Sequence, residues 1–498
     1  MNRQFKYGSV LAYVSILLTI LSGILYTPWM ISVIGQSEYG LYTLANSLIT
    51  LFLLDFGLSS ATSKYMAKYA AEGNKSDAQS FLGAICKLYL GLDLVITSIL
   101  TIIFFSIENI YVNLTAEELE KFKVVFVLCG TFSLINFPFV NLNGVLTAYE
   151  KFVHLKLIEI FQRILNIILT VICLSLGYGV YSLVAVHIVV SIITILTKLF
   201  IIGRDIKIKP FFRQSHKGLY KKIFLFSFWI TISSLAGRLV FSVTPSILGI
   251  FTNSAAIAVF GIVTTIESYS YTITTAISSM YIPKVSKIFA FENAVANLNR
   301  VFCNVGKFQF TLNGIILVGI ITLGKQFIAL WAGNEYIDAY WCLVLILTPG
   351  LFFNSLQIAN TALIVNDKVK YEAILSIITG CINVGLSVPL SAQFGAIGSC
   401  VAISIAFTVK AIVMHIISYK IIGLNIKHFI KTCYLKIAPV LLLSIILGFA
   451  LNQVVSGNSW LTFFMKALII VLVYLILIFV VAINREERQK VISTIKKL

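Results

Sequence analysis

The stretch LITLFLLDFGLSSATSKY, Leu48 to Tyr65, is a largely apolar run that meets Asp55-Phe56-Gly57 and leaves through a Ser-rich exit capped by Lys64. In a soluble kinase that triplet would hold magnesium. Such a site also needs a glycine-rich loop, a lysine-bearing strand and a His-Arg-Asp loop. None of these lies upstream of Asp55, so the triplet is a chance match. What remains is a carboxylate inside a long apolar segment, which raises the question of a membrane rather than a metal.

Composition answers it. Of 498 residues, 59% are hydrophobic and 12% charged, against about 25% charged in a soluble domain, and the mean hydropathy is +0.96. Crossing a bilayer takes roughly 20 mostly apolar residues, because only a helix satisfies its own backbone in hydrocarbon. Fourteen runs qualify, at about 8–34, 41–62, 81–107, 124–147, 157–177, 180–203, 223–250, 256–281, 308–331, 340–365, 371–391, 397–420, 437–453 and 460–482. They are numbered spans 1 to 14. The expected fold is an all-α integral membrane protein with about 14 transmembrane helices. Span 1 is too long for a signal peptide and has no small-residue cleavage site, so it is expected to stay in the mature chain.

The net charge of +18 is topological. Of 38 Lys and Arg, 29 fall in the N-terminal tail, the even-to-odd loops and the C-terminal tail, and two, Lys121 and Lys123, in loops on the other side. By the positive-inside rule both termini are expected in the cytoplasm of a multi-pass protein of the cytoplasmic membrane. That distribution argues against a nucleic-acid partner. The eight cysteines show no C-x-x-C spacing, so no metal site or disulfide is expected and they read as small packing residues.

The longest polar break, Arg204 to Lys222, divides the chain. The expected organisation is a six-helix bundle over 1–203, a basic cytoplasmic linker over 204–222, a second six-helix bundle over 223–432, and a terminal helix pair with a tail over 433–498. Pro28 matches Pro245 in place, and Pro138 matches Pro349. Six spans per half give both halves one orientation, a parallel pseudo-repeat of the kind secondary transporters use.

Three segments carry a resemblance. IGQSEYGLYTLANSLITLFLLDFGLSSATSKYMAKYAAEGN, IALWAGNEYIDAYWCLVLILTPG and INVGLSVPLSAQFGAIGSCVAISIA resemble the polysaccharide transporter family of the multidrug/oligosaccharidyl-lipid/polysaccharide (MOP) exporter superfamily. The resemblance covers essentially the whole chain. It implies a bilobed helical bundle around a central cavity, and a flippase that turns polyprenyl-diphosphate-linked oligosaccharide from the inner to the outer leaflet for O-antigen, capsule or other surface polysaccharide. It also implies alternating access coupled to H⁺ or Na⁺, no cofactor, contact with membrane lipid, and polysaccharide polymerase and chain-length proteins as partners. A drug or small-cation exporter of the same superfamily is the alternative. An enzyme such as a glycan polymerase is a further one, but it would want a large polar loop with clustered Arg, His or carboxylates, and none is present.

Ionisable residues inside spans mark candidate sites, because each costs a few kcal/mol or more in hydrocarbon. The acids are Asp55, Asp93, Glu159 and Glu267; the bases are Lys87, Arg163, Lys198, Arg238, Lys325, Lys410 and Lys466. Seven bases against four acids suit an anionic head group. Arg offers a planar fork to a diphosphate and Lys a point charge. Arg238 and Lys410 are the first candidates for cavity cations, followed by Lys87 and Arg163. Asp55, Asp93 and Glu267 are the candidate coupling or gating carboxylates. The helical rise of 1.5 Å per residue puts Arg238 and Glu267 at one depth, and Asp55 and Lys87 at another, so each is a candidate pair. Glu159 and Arg163 are expected to pair at i,i+4. Lys198, Lys325 and Lys466 lie near span ends, where long stems snorkel.

Overall fold

The computed structural model describes residues 3–52, 55–212, 219–289, 294–366 and 368–482; the middle of the basic linker and the tail beyond 482 lie outside them. The described residues form helices and connecting turns, with no strand among them. Among the described residues eleven helices are long and apolar enough to cross a membrane, and the bent pair Ala339–Asn354 and Gln357–Val365, taken as one span, makes a twelfth.

Two further spans are hidden by breaks. The stretch Val369–Ile422 counts as one helix of 54 residues, about 80 Å at the helical rise, far beyond a hydrocarbon core of about 30 Å. Gly395 interrupts it at φ 57 and ψ −135, a conformation that a side chain would strain. Ser391 and Ser399 hydrogen-bond across that break at 2.6 Å, so the chain doubles back there as spans 11 and 12. Span 2 is split into Gln36–Phe52 and Leu58–Ala71, each too short to cross alone. With these, the described chain carries the fourteen spans expected.

The breaks sit where the sequence places chemistry or proline, though matched prolines do different things. Pro138 lies in a 3₁₀ turn, Phe137–Phe139, that interrupts span 4, and Pro245 opens the helix Thr244–Phe251 in span 7. At a helix start the missing N–H costs nothing. Pro28 and Pro349 instead lie inside Arg3–Ile34 and Ala339–Asn354.

The chain divides into two compact units, Met1–Gly261 and Ile262–Leu498. In the first, span 1 packs on span 5, span 4 on spans 2 and 6, and span 7 on both pieces of span 2. In the second, span 9 packs on spans 10, 13 and 14, and span 10 on the 11–12 hairpin. Large apolar side chains such as Leu25, Leu94, Phe105, Leu461 and Phe464 are exposed, as a lipid-facing surface requires.

Candidate functional site

In the first unit the site is built on the break in span 2. Asp55 stands just before Leu58–Ala71, while Phe56 and Gly57 take positive φ. A helix start leaves N–H groups without intrahelical partners, and the Asp55 carboxylate accepts from Ser59 N at 3.2 and 3.3 Å. A negative charge at that end is also favoured by the helix dipole. The second ligand of the carboxylate is the Tyr89 hydroxyl, from a fully buried ring in span 3 that packs edge-on to Phe137.

This corrects the expected Asp55–Lys87 pair. Lys87 is two residues before Tyr89, hence on another face of span 3, and its ammonium donates to the Phe212 carbonyl at 2.5 Å. Spans 2 and 3 are joined as expected, but by a phenol. Lys87 instead holds the described end of the basic linker, which also bonds to span 3 through Phe211 N and Gln79 O at 3.0 Å.

Arg238 of span 7 lies within electrostatic range of Asp55 without forming an ion pair among the described residues. Its Nη1 is buried and has no hydrogen-bond partner among them. Ser227, on the same span, donates to the Gly57 carbonyl at 3.4 Å, so span 7 touches the break directly.

The expected Glu159–Arg163 pair is also replaced. Glu159 accepts from Lys156 at 2.7 Å, while Arg163 Nε donates to Ser22 Oγ at 3.2 Å and Nη2 to the Thr19 carbonyl at 3.3 Å. Arg163 therefore staples span 5 to span 1. Asp93 keeps one buried carboxylate oxygen without a described partner.

In the second unit, Lys410 of span 12 donates to Ser376 Oγ at 3.3 Å and sits 4.5 Å from the centre of the Phe353 ring. Ser376 in turn donates to Glu372 Oε1 at 2.7 Å, so cation, hydroxyl and carboxylate form a chain linking spans 12 and 11. The charge of Glu372 also reaches Tyr271, one turn beyond Glu267 on span 8. Glu267 makes no ion pair among the described residues. Glu372 escaped sequence reasoning because it is the second residue of its run and looks like loop. The Glu372/Ser376 spacing of four was the available signal.

A second omission is a polar seam between spans 8 and 9. Ser270 donates to Asn313 Oδ1 at 2.6 Å, Asn313 Nδ2 to Thr274 Oγ1 at 3.0 Å, and Gln309 Nε2 to Ser278 Oγ at 2.6 Å. All five side chains are buried. Spacings of four on both helices make this interhelical adhesion.

In the first unit Arg238 thus lies near Asp55 without a direct ion pair among the described residues, and in the second Ser376 bridges Lys410 and Glu372. No cluster of three or more metal-ligating side chains occurs among the described residues.

Comparisons with known proteins fit this picture. A sequence model of the family described as "Polysaccharide biosynthesis protein" matches residues 7–289. The chain is 21% identical over 445 residues to the "Probable low-salt glycan biosynthesis flippase Agl15" of Haloferax volcanii, covering 89% of this chain and 88% of that one. Among solved structures it resembles the lipid II flippase MurJ in an inward closed conformation, with a TM-score of 0.75, 18% identity, and 94% and 97% of the two chains covered. It also resembles an inward-facing multidrug resistance MATE family transporter of the MOP superfamily, with a TM-score of 0.68, 17% identity, and 84% and 96% covered. At these identities the structures show a shared fold, the helical transporter fold expected from the sequence.

Proposed function

The chain belongs to the polysaccharide biosynthesis protein family, and from that premise we propose that it is a flippase for polyprenyl-diphosphate-linked oligosaccharide. The family match carries this reading. The names of the similar proteins, a glycan biosynthesis flippase and a lipid II flippase, support it, and so does the surplus of bases over acids inside the spans. The protein works in the cytoplasmic membrane with both termini inside, as a transporter and not an enzyme, and supplies repeat units for O-antigen, capsule or a related surface polymer. Residues 1–203 and 223–432 are its two six-span halves.

Arg238 and Lys410 meet the diphosphate in this reading. Among the described residues, an Arg fork with a buried nitrogen that has no partner and a Lys held by a hydroxyl and a ring have charge to share. Arg163 and Lys87, both engaged by neighbours, position helices and the linker. Asp55, Asp93 and Glu267 are the carboxylates through which H⁺ or Na⁺ coupling acts.

The test is leaflet distribution. Deleting the protein makes lipid-linked repeat units accumulate on the cytoplasmic leaflet, and Arg238→Ala and Lys410→Ala reproduce that accumulation at normal protein abundance. An unchanged distribution in the deletion strain overturns the flippase reading. Normal export by both variants overturns the assignment of the two cations. The MATE likeness favours one other reading, export of a small cation; in that case the deletion sensitises cells to cationic drugs and leaves the glycan lipid where it was.

A further inference from the structure

The side of the protein away from the basic loops is poor in cations, and those it has are used in two ways. Lys121 pairs with Glu38 and Glu117, both at 3.1 Å, and Lys123 pairs with Glu108. Lys325 and Lys466 lie about six residues inside the same ends of spans 9 and 14, roughly 9 Å deep. Neither forms an ion pair among the described residues. They were expected to snorkel, yet Lys466 is only 4% exposed.

Both line one cavity of about 620 Å³ in the second unit, together with Gln326, Tyr340, Trp341 and Asn452, and no carboxylate lines it among the described residues. A volume of this size takes a small ligand. Gln326 Nε2 donates to the Gly457 and Ser459 carbonyls and to Thr462 Oγ1, at 3.3, 3.4 and 3.2 Å. That turns its Oε1 to the Lys466 ammonium, 3.4 Å away. Lys325 sits 5.3 Å from the ring centres of both Tyr340 and Trp341, an arrangement that holds a cation in place without neutralising it.

A buried ammonium with one neutral acceptor is costly unless an anion completes it. We propose that this cavity is a phosphoryl-anion site, with Lys325 and Lys466 as its two cationic ligands. The phosphoryl group comes from a lipid head group entering from the bilayer or from a soluble phosphate on that face. The site is separate from the Lys410–Ser376–Glu372 chain and does not depend on the flippase reading.

The full chain in phosphatidylcholine nanodiscs is titrated with inorganic diphosphate, and in parallel nanodiscs phosphatidylglycerol replaces part of the phosphatidylcholine. The unfolding temperature and Trp fluorescence are followed. One probe stabilises the wild type, and Lys325→Gln and Lys466→Met each weaken that response at least tenfold. Response to diphosphate in neutral discs assigns a soluble source, and response only to phosphatidylglycerol a lipid source. No response to either probe, or a response undiminished in Lys325→Gln, overturns the proposal. Lys325 is exposed, so its variant remains readable even if the buried Lys466→Met fails to fold.

Discussion

Replacing Tyr89 with Phe removes a single oxygen from a fully buried ring, leaves the packing against Phe137 in place, and takes away the one side-chain donor to the Asp55 carboxylate among the described residues. Hydrogen bonds to charged groups are worth about 1.5–3 kcal/mol, so the unfolding equilibrium shifts roughly 10- to 150-fold. Asp55→Asn keeps an acceptor for Ser59 N, because Asn also caps helices, but turns the Tyr89 contact into a neutral one. The double variant then loses less than the sum of the singles, with a coupling of about 1–2 kcal/mol. Lys87→Met serves as the control. Its ammonium binds Phe212 O, so its coupling to Asp55 stays below about 0.5 kcal/mol, as for sites without shared partners. The measurement is helicity during titration with dodecyl sulfate in mixed micelles, restricted to variants with one cooperative transition. Larger coupling of Asp55 to Lys87 than to Tyr89 would refute the arrangement and restore the ion pair that depth-matching in the sequence suggests.

Three further outcomes follow from named contacts. Arg163→Ala loses two hydrogen bonds to span 1 and destabilises by about 2–4 kcal/mol, whereas Glu159→Ala, half of a partly exposed pair, costs about 0–1 kcal/mol; equal effects in the same titration would contradict the staple. A Cβ on Gly83 would stand 2.0 Å from the Phe211 carbonyl, so Gly83→Ala displaces the linker end and raises protease cleavage near residue 212, and unchanged cleavage would show that the segment does not rest there. Glu372→Gln weakens the hold on Ser376, which bridges it to Lys410, and lowers the export rate more than protein abundance; export equal to wild type removes Glu372 from the site.

The contrast between what the sequence disclosed and what it hid follows from the range of the forces involved. Span number and the membrane class are sums over twenty-residue windows, in which a misplaced boundary hardly matters. The 11–12 hairpin was legible for that reason, with Gly395 at the break between the two spans. Pairing of buried charges is decided over a few ångströms and by rotation about a helix axis. Depth alone matched Asp55 to Lys87, yet two residues along span 3 swings a side chain by about 200° at 3.6 residues per turn, enough to exchange a lysine for a tyrosine. Counting only formal charges made the tyrosine invisible, although a phenol can satisfy a carboxylate at lower desolvation cost than an ammonium. The same bias set Glu159 against Arg163 and overlooked Ser22 and the Thr19 carbonyl, which are equally good acceptors for a guanidinium and lie on another helix. It also overlooked Asn313 and Gln309, whose partners are the uncharged hydroxyls, carbonyls and amide around them. In hydrocarbon the requirement on a polar group is to be hydrogen-bonded, not to be neutralised. Neutral donors and acceptors at spacings of four therefore belong in any search for such sites beside the charges. On that criterion Arg238, with a buried nitrogen that has no partner among the described residues, and Lys466, a buried ammonium with three N–H donors and the one neutral acceptor of Gln326, have needs that point outside the chain, to what it binds.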